Sequence, residues 1–190
     1  MNALESAFAN LKKENKKAFI PFIAAGDPDI NSTKELAITL AKNGATVIEI
    51  GFPYSDPIAD GPVIQAAYTR ALDKGIKIEH IFKAISETSV ELKRTSLQVP
   101  IVAMVSASII HRFGKEKFIN ECSKAGFSGL IIPDLPVEES LEISVDIKKA
   151  GLCLIQLVTP NTPKERALLI LSACSGFLYC VSVSGITGER

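Results

Sequence analysis

Short apolar runs alternate with longer amphipathic stretches along the chain. Residues 19–24, 46–50, 100–105, 129–132, 152–158 and 177–181 are dense in Val, Ile, Leu and Phe and carry few polar interruptions. Such runs predict strands buried on both faces, and helix-length segments between them predict parallel β–α–β crossovers. Ahead of the first strand, residues 3–15 place Leu4, Phe8 and Leu11 on one stripe, which predicts a leading helix. Ser32-x-x-Glu35 and Thr162-Pro163-x-Glu165 have capping-box spacing, the second with proline at the first helical position. Lys42-Asn43-Gly44, Lys124-Ala125-Gly126 and Lys149-Ala150-Gly151 form a weak internal repeat, each ahead of a strand. Lysine suits a helix C-terminus, and glycine just beyond it adopts the left-handed cap.

No Pro/Gly/Ser-rich linker breaks the series, so residues 1–190 are expected to form a single domain with six strands. Six alternating units fit either a doubly wound open sheet or the first three-quarters of a (β/α)8 TIM barrel, which needs roughly 250 residues. The turn after the first strand, Ala24-Ala25-Gly26-Asp27-Pro28, lacks the G-x-G-x-x-G spacing of a dinucleotide site, which weakens the doubly wound option. In either architecture a ligand meets the C-terminal ends of the strands.

Composition narrows the function classes. With 47% apolar and 22% charged residues the chain is expected to be globular, and 21 basic against 21 acidic residues leave no net charge. No basic stripe with interleaved aromatics suggests nucleic acid. No apolar stretch is long enough for a bilayer, and residues 1–10 do not resemble an export signal, so a cytoplasmic location is expected. Cys122, Cys153, Cys174 and Cys180 lie in or beside apolar segments without a Cys-x-x-Cys pair, which predicts buried reduced thiols and no metal site.

One residue interrupts an apolar strand. In Val47-Ile48-Glu49-Ile50 side chains alternate, so Glu49 shares a face with Val47 and Gly51 while the isoleucines share the other. If the isoleucines meet helices, Glu49 points inward, where burial raises its pKa toward that of a general acid. A structural ion pair or a solvated edge is the alternative. The following segment, from Phe52 to Pro62, is too proline-rich for regular structure and reads as a loop over the strand ends. Within it Asp56 and Asp60 fit either a site or ordinary turn formation.

The stretch Glu49-Ile50-Gly51-Phe52-Pro53-Tyr54-Ser55-Asp56-Pro57-Ile58-Ala59-Asp60-Gly61-Pro62 resembles the tryptophan synthase α subunit family. The resemblance continues in Pro21-Phe22-Ile23, Gly26-Asp27-Pro28, Ile132-Pro133-Asp134-Leu135-Pro136, Glu138-Glu139 and Ser184-Gly185-Ile186-Thr187-Gly188. It implies a TIM barrel, of which this chain holds about the first six β/α units. It also implies a carbon–carbon lyase of tryptophan biosynthesis that splits indole-3-glycerol phosphate into indole and glyceraldehyde 3-phosphate. By the same resemblance Glu49 and Asp60 are the catalytic pair. Phe22, Ile131, Leu157 and Tyr179 line the indole pocket, and Thr187 and Gly188 belong to a closing loop. Asp56, Pro57 and Asp134 face a β subunit in an α2β2 assembly. The cofactor, pyridoxal phosphate, is expected only in that β subunit, with none here.

Val105-Ser106-Ala107-Ser108 departs from the family, where many relatives carry a tyrosine and an asparagine. The chain is also expected to lack strands seven and eight, with the loops that usually hold phosphate on such barrels. That leaves a second reading, a truncated, catalytically weak or inactive α subunit that binds and regulates a β subunit. A third, a different phosphate-sugar isomerase or aldolase on the same barrel, would want a lysine or histidine at a strand end, whereas the strand ends offer Asp27, Glu49, Ser106, Asp134 and Thr159, which counts against Schiff-base chemistry.

Overall fold

The computed structural model describes residues 2–57 and 60–182. The apolar runs become six strands: β1 (Phe22–Ala24), β2 (Ile48–Gly51), β3 (Ile101–Met104), β4 (Phe127–Ile131), β5 (Cys153–Val158) and β6 (Leu178–Cys180). Eight helices accompany them among the described residues: α1 (Ala3–Lys13), α2 (Ile30–Lys42), α3 (Pro62–Asp73), α4 (Ile78–Arg94), α5 (Ala107–Phe113), α6 (Lys115–Ala125), α7 (Val137–Lys149) and α8 (Lys164–Ala173). All strand pairs are parallel, and the spatial order follows the chain from β1 to β6 without a reversal. A doubly wound sheet reverses order at its switch point. This sheet is instead six successive units of a barrel.

Its curl is visible in the packing. On a flat sheet, β2 and β6 would stand about 19 Å apart at ~4.8 Å per strand. Yet Tyr179 of β6 lies close enough to Glu49 of β2 for that carboxylate to add to the effect of burial in raising the phenol pKa. The two faces separate into distinct cores. Ile48, Ile50, Ile101, Ala103, Leu130 and Leu154 pack outward with Phe52, Phe82, Phe118 and Ile147 against the helices. Val47, Val102, Ile131, Cys153 and Ile155 pack inward, joined by Met104, Leu157, Phe177 and Tyr179.

Helix α1 closes the N-terminal end of this interior. Leu4 is wholly buried in the inner core, and Phe8 stacks on Phe177 with ring centroids 5.0 Å apart. Asn2 caps the helix in a box with Glu5, and its amide donates to the carbonyls of Ser128 (2.9 Å) and Gly151 (2.6 Å), fixing α1 beneath β4 and β5.

The glycines of the Lys-x-Gly repeat behave as expected: Gly44, Gly126 and Gly151 have φ of +90°, +94° and +78° at the ends of α2, α6 and α7. Neither predicted capping box is used. Helix α2 starts at Ile30 because the Asp29 carboxylate accepts from the Ser32 amide (2.8 Å), and a charged acceptor suits a helix N-terminus. Thr162 turns back to accept from the Thr159 amide (2.9 Å), so Pro163 becomes the N-cap of α8 rather than its first residue. Of the four free cysteines, Cys122 and Cys153 are buried and Cys174 is half-buried. Cys180 is exposed, contrary to expectation, because it points outward from β6 where no described helix covers it. Leu178 on the same strand and Leu168 and Leu171 on α8 are exposed as well.

Candidate active site

Strand β2 carries Glu49 inward. Its neighbours across the ladder are Phe22 of β1 and Val102 of β3, and Val47 one inward position earlier is fully buried. Glu49 itself is 4% exposed. No hydrogen bond among the described residues ends on its carboxyl. The apolar interior therefore disfavours its charge with nothing to offset it, and burial pushes the pKa from 4.5 up to about 7. A carboxyl poised there can give a proton and take one back at neutral pH.

The loop after β2 brings the second carboxylate. Pro62 opens α3 at its first position, with Gly61 as N-cap. One turn in, the Gln65 side-chain amide donates to the carbonyls of Asp60 (2.8 Å) and Pro57 (3.2 Å), and the Asp60 amide donates to Pro57 (3.1 Å). Those bonds hold the end of the loop against the helix that follows it. Asp60 is half-buried, and burial raises its pKa as it does that of Glu49. The two carboxyls thus shift in the same direction and for the same cause. Both Tyr54 and Tyr68 lie near enough to Asp60 for its charge to raise their pKa values.

All three tyrosines of the chain converge here. Tyr54 and Tyr68 lie against each other with centroids 5.9 Å apart. Burial raises the Tyr54 pKa, and the charges of Asp60, Asp134 and Asp56 add to it, so charge from the loops after β2 and β4 reaches this ring. Tyr68 on α3 leans over the end of β2. A Cβ at Gly51 would fall 2.5 Å from the Tyr68 hydroxyl and 2.6 Å from Cε2 of Phe22, so only glycine leaves room for both. Tyr179 stands opposite in β6, in register with Leu157 of β5.

Of the residues singled out from sequence, Phe22, Glu49, Ile131, Leu157 and Tyr179 all face the interior, Ile131 without exposure and Phe22, Leu157 and Tyr179 half-buried. Asp60 joins them from the loop. Asp56 is exposed and Pro57 half-buried on its outer side. Asp134 does more than present a charge: its carboxylate accepts from the Ser106 hydroxyl (2.7 Å) and the Ala107 amide (2.8 Å), tying the loop after β4 to the start of α5. Ser106 in turn bonds Ser108 (2.7 Å), so these small hydroxyls are committed to the turn after β3. Thr187 and Gly188 lie outside the described residues, as do Ile58, Ala59 and the rest of 183–190. Sequence reasoning missed Tyr68. Its one clue was spacing, three residues after Gln65 on the same helical edge. Among the described residues no group of His, Cys, Asp and Glu is arranged to hold a metal.

Residues 8–190 match the family model described as tryptophan synthase alpha chain. The chain is 47% identical over its full length to the tryptophan synthase alpha chains of Rhodopirellula baltica and of a Thermoanaerobacter strain, spanning 68% and 70% of those proteins. It superposes on the tryptophan synthase subunit alpha of Legionella pneumophila with a TM-score of 0.89 at 37% identity, covering 96% of this chain and 68% of that one. A chain of the Mycobacterium tuberculosis tryptophan synthase gives a TM-score of 0.89 at 30% identity, covering 98% and 70%.

Proposed function

Since this chain belongs to the tryptophan synthase alpha chain family, we propose that it catalyses the cleavage of indole-3-glycerol phosphate, with Glu49 and Asp60 as its acid–base pair. The observation that carries the assignment of roles is Glu49, alone on an apolar inward face with its pKa near 7. Direct scission of the bond to an aromatic indole ring would leave an unstabilised carbanion. Protonation of ring carbon C3 by the neutral Glu49 carboxyl removes that obstacle by converting the indole to an indolenine. Asp60 accepts the hydrogen bond of the ring N–H as positive charge grows on that nitrogen. Glu49, now a carboxylate, takes the proton from the hydroxyl on the carbon next to the ring. The carbon–carbon bond breaks, its electron pair restores the aromatic indole, and the side chain leaves as the aldehyde glyceraldehyde 3-phosphate. Glu49 ends the cycle protonated, as it began.

The apolar wall of Phe22, Ile131, Leu157 and Tyr179 suits the flat ring, which must be held with C3 over Glu49. The reading extends to Thr187 and Gly188 as substrate-binding residues. It also assigns the face formed by Asp56, Pro57 and the Asp134 turn to a β subunit, in an α2β2 assembly whose pyridoxal phosphate sits in that partner. Two features support this face: Asp56 is exposed at the strand-end rim, and Tyr54 senses Asp56 and Asp134 together. A cytoplasmic location accords with the absence, among the described residues, of any helix long and apolar enough to cross a membrane.

The test is release of indole from indole-3-glycerol phosphate by the chain and by its Glu49→Gln variant, alone and with a tryptophan synthase β subunit. Turnover that falls at least about a hundredfold in the variant agrees with an acid–base role. Undiminished turnover in the variant would reject it. Binding of the β subunit without any cleavage would favour the regulatory reading instead.

A further inference from the structure

Tyr68 has no part in the scheme above, yet its setting is that of a site residue. It is 2% exposed. Its hydroxyl lies 2.5 Å from where a Cβ of Gly51 would stand, beside the edge of the Phe22 ring. Gly51 shares the inward face of β2 with Glu49, two residues further along the strand, so the hydroxyl overhangs that same face. Three residues earlier on α3, Gln65 holds the Asp60 carbonyl, which places Tyr68 between the strand that carries Glu49 and the loop that carries Asp60.

No hydrogen bond among the described residues ends on the Tyr68 hydroxyl. Among those residues no wholly buried side-chain oxygen lacks a partner, so the little surface Tyr68 keeps includes this oxygen. With so little surface, the hydroxyl is reached by few waters, and a ligand acceptor that pairs it displaces little hydration. Burial, aided by the charges of Asp60, Tyr54 and Glu49, raises its pKa and keeps the phenol protonated, hence a donor.

We propose that Tyr68 is a substrate-contacting specificity residue, whose hydroxyl donates a hydrogen bond to a hydroxyl oxygen on the three-carbon side chain of the indole substrate. The inference rests on the lyase reading above. It follows from position within the site: the ring's one polar group is an N–H, which Asp60 accepts in this reading, its faces meet the apolar wall, and the phosphate lies at the end of the carbon chain remote from the ring over Glu49. The acceptor nearest a donor that overhangs Glu49 is therefore on the carbon chain that Glu49 works upon. Recognition of that oxygen would separate the substrate from ring-and-phosphate compounds of similar shape.

Calorimetry tests this with two ligands, indole-3-glycerol phosphate and indole-3-propyl phosphate, which keeps ring and phosphate but lacks the hydroxyls. Glu49→Gln serves as the background to prevent turnover. Adding Tyr68→Phe keeps the ring packed on Phe22 and Tyr54 and removes only the hydroxyl. The expected result is about tenfold weaker binding of indole-3-glycerol phosphate and no change for the hydroxyl-free ligand. Equal weakening of both ligands would assign Tyr68 to packing or to the phosphate, and no weakening of either would show the hydroxyl idle. Either result overturns the proposal while leaving the lyase reading intact. If neither ligand binds even when Tyr68 is present, the substrate assignment fails and the proposal fails with it.

Discussion

Replacing Glu49 by glutamine should destroy the proposed chemistry and stabilise the fold, with a pH signature that belongs to this residue. In the native state the carboxyl sits in an apolar interior with a pKa of about 7, against 4.5 for an ordinary glutamate. At about 1.36 kcal/mol per unit, holding it ionised in the folded chain costs on the order of 3 kcal/mol relative to the unfolded chain. Because the folded pKa lies above the unfolded one, the native state binds the proton more tightly. The cost is absent below about pH 4.5, grows as pH rises to about 7, and is complete above that. Glutamine, close in shape to the protonated acid, does not titrate. The stability of Glu49→Gln minus that of the parent should therefore be larger at pH 8 than at pH 4 by on the order of 3 kcal/mol. Every other group, Asp60 included, is common to both chains and drops out of the difference. Urea unfolding followed by circular dichroism across this range measures it, and equal m-values verify that the same surface is exposed. A difference that stays flat from pH 4 to pH 8 would show that Glu49 titrates normally, and the burial argument would be wrong.

Three further perturbations probe the scaffold around the site. Gly51→Ala forces Phe22 and Tyr68 aside, and about 1–3 kcal/mol of stability should be lost together with most of the cleavage activity; an alanine variant of full activity would mean those side chains are not fixed where the structure has them. Leu4→Ala opens a cavity under the inner core and should cost about 2–5 kcal/mol by urea unfolding, whereas a loss below 1 kcal/mol would show that α1 does not close the barrel end. Asp134→Ala removes the acceptor for Ser106 and the Ala107 amide and should cost about 1–2 kcal/mol. Stability unchanged by Asp134→Ala would leave that carboxylate free to serve a partner alone.

Much of the fold was legible because a strand buried on both faces must be apolar throughout, which marks its sequence strongly. That is why Ile48 and Ile50 announce an outer core and why Glu49 between them stands out. The left-handed caps at Gly44, Gly126 and Gly151 were equally plain, since a lysine-rich last turn followed by glycine meets two needs at once. Less legible were groups with several possible partners. Ser32 and Thr162 have capping chemistry, but Asp29 brings a formal charge to the α2 terminus, and the 159–162 turn claims the threonine. The choice between barrel and open sheet depended on strand order, which periodicity does not encode. In the site, the inward phase of Glu49 followed from alternation alone. Tyr68 did not, because an aromatic on an amphipathic helix reads first as core. Its placement over Gly51 is a contact between elements that only the fold creates. The same holds for Asp134, whose bonds to Ser106 and Ala107 join two loops 27 and 28 residues apart.

The central claim is that Glu49 is a buried acid able to donate and recover a proton near neutrality. Carbon-13 NMR of a chain labelled at the glutamate side-chain carboxyls, with the Glu49 signal assigned by its loss in Glu49→Gln, follows that proton directly. The account predicts a titration midpoint for Glu49 near pH 7. A midpoint near the ordinary glutamate value of 4.5 would contradict it.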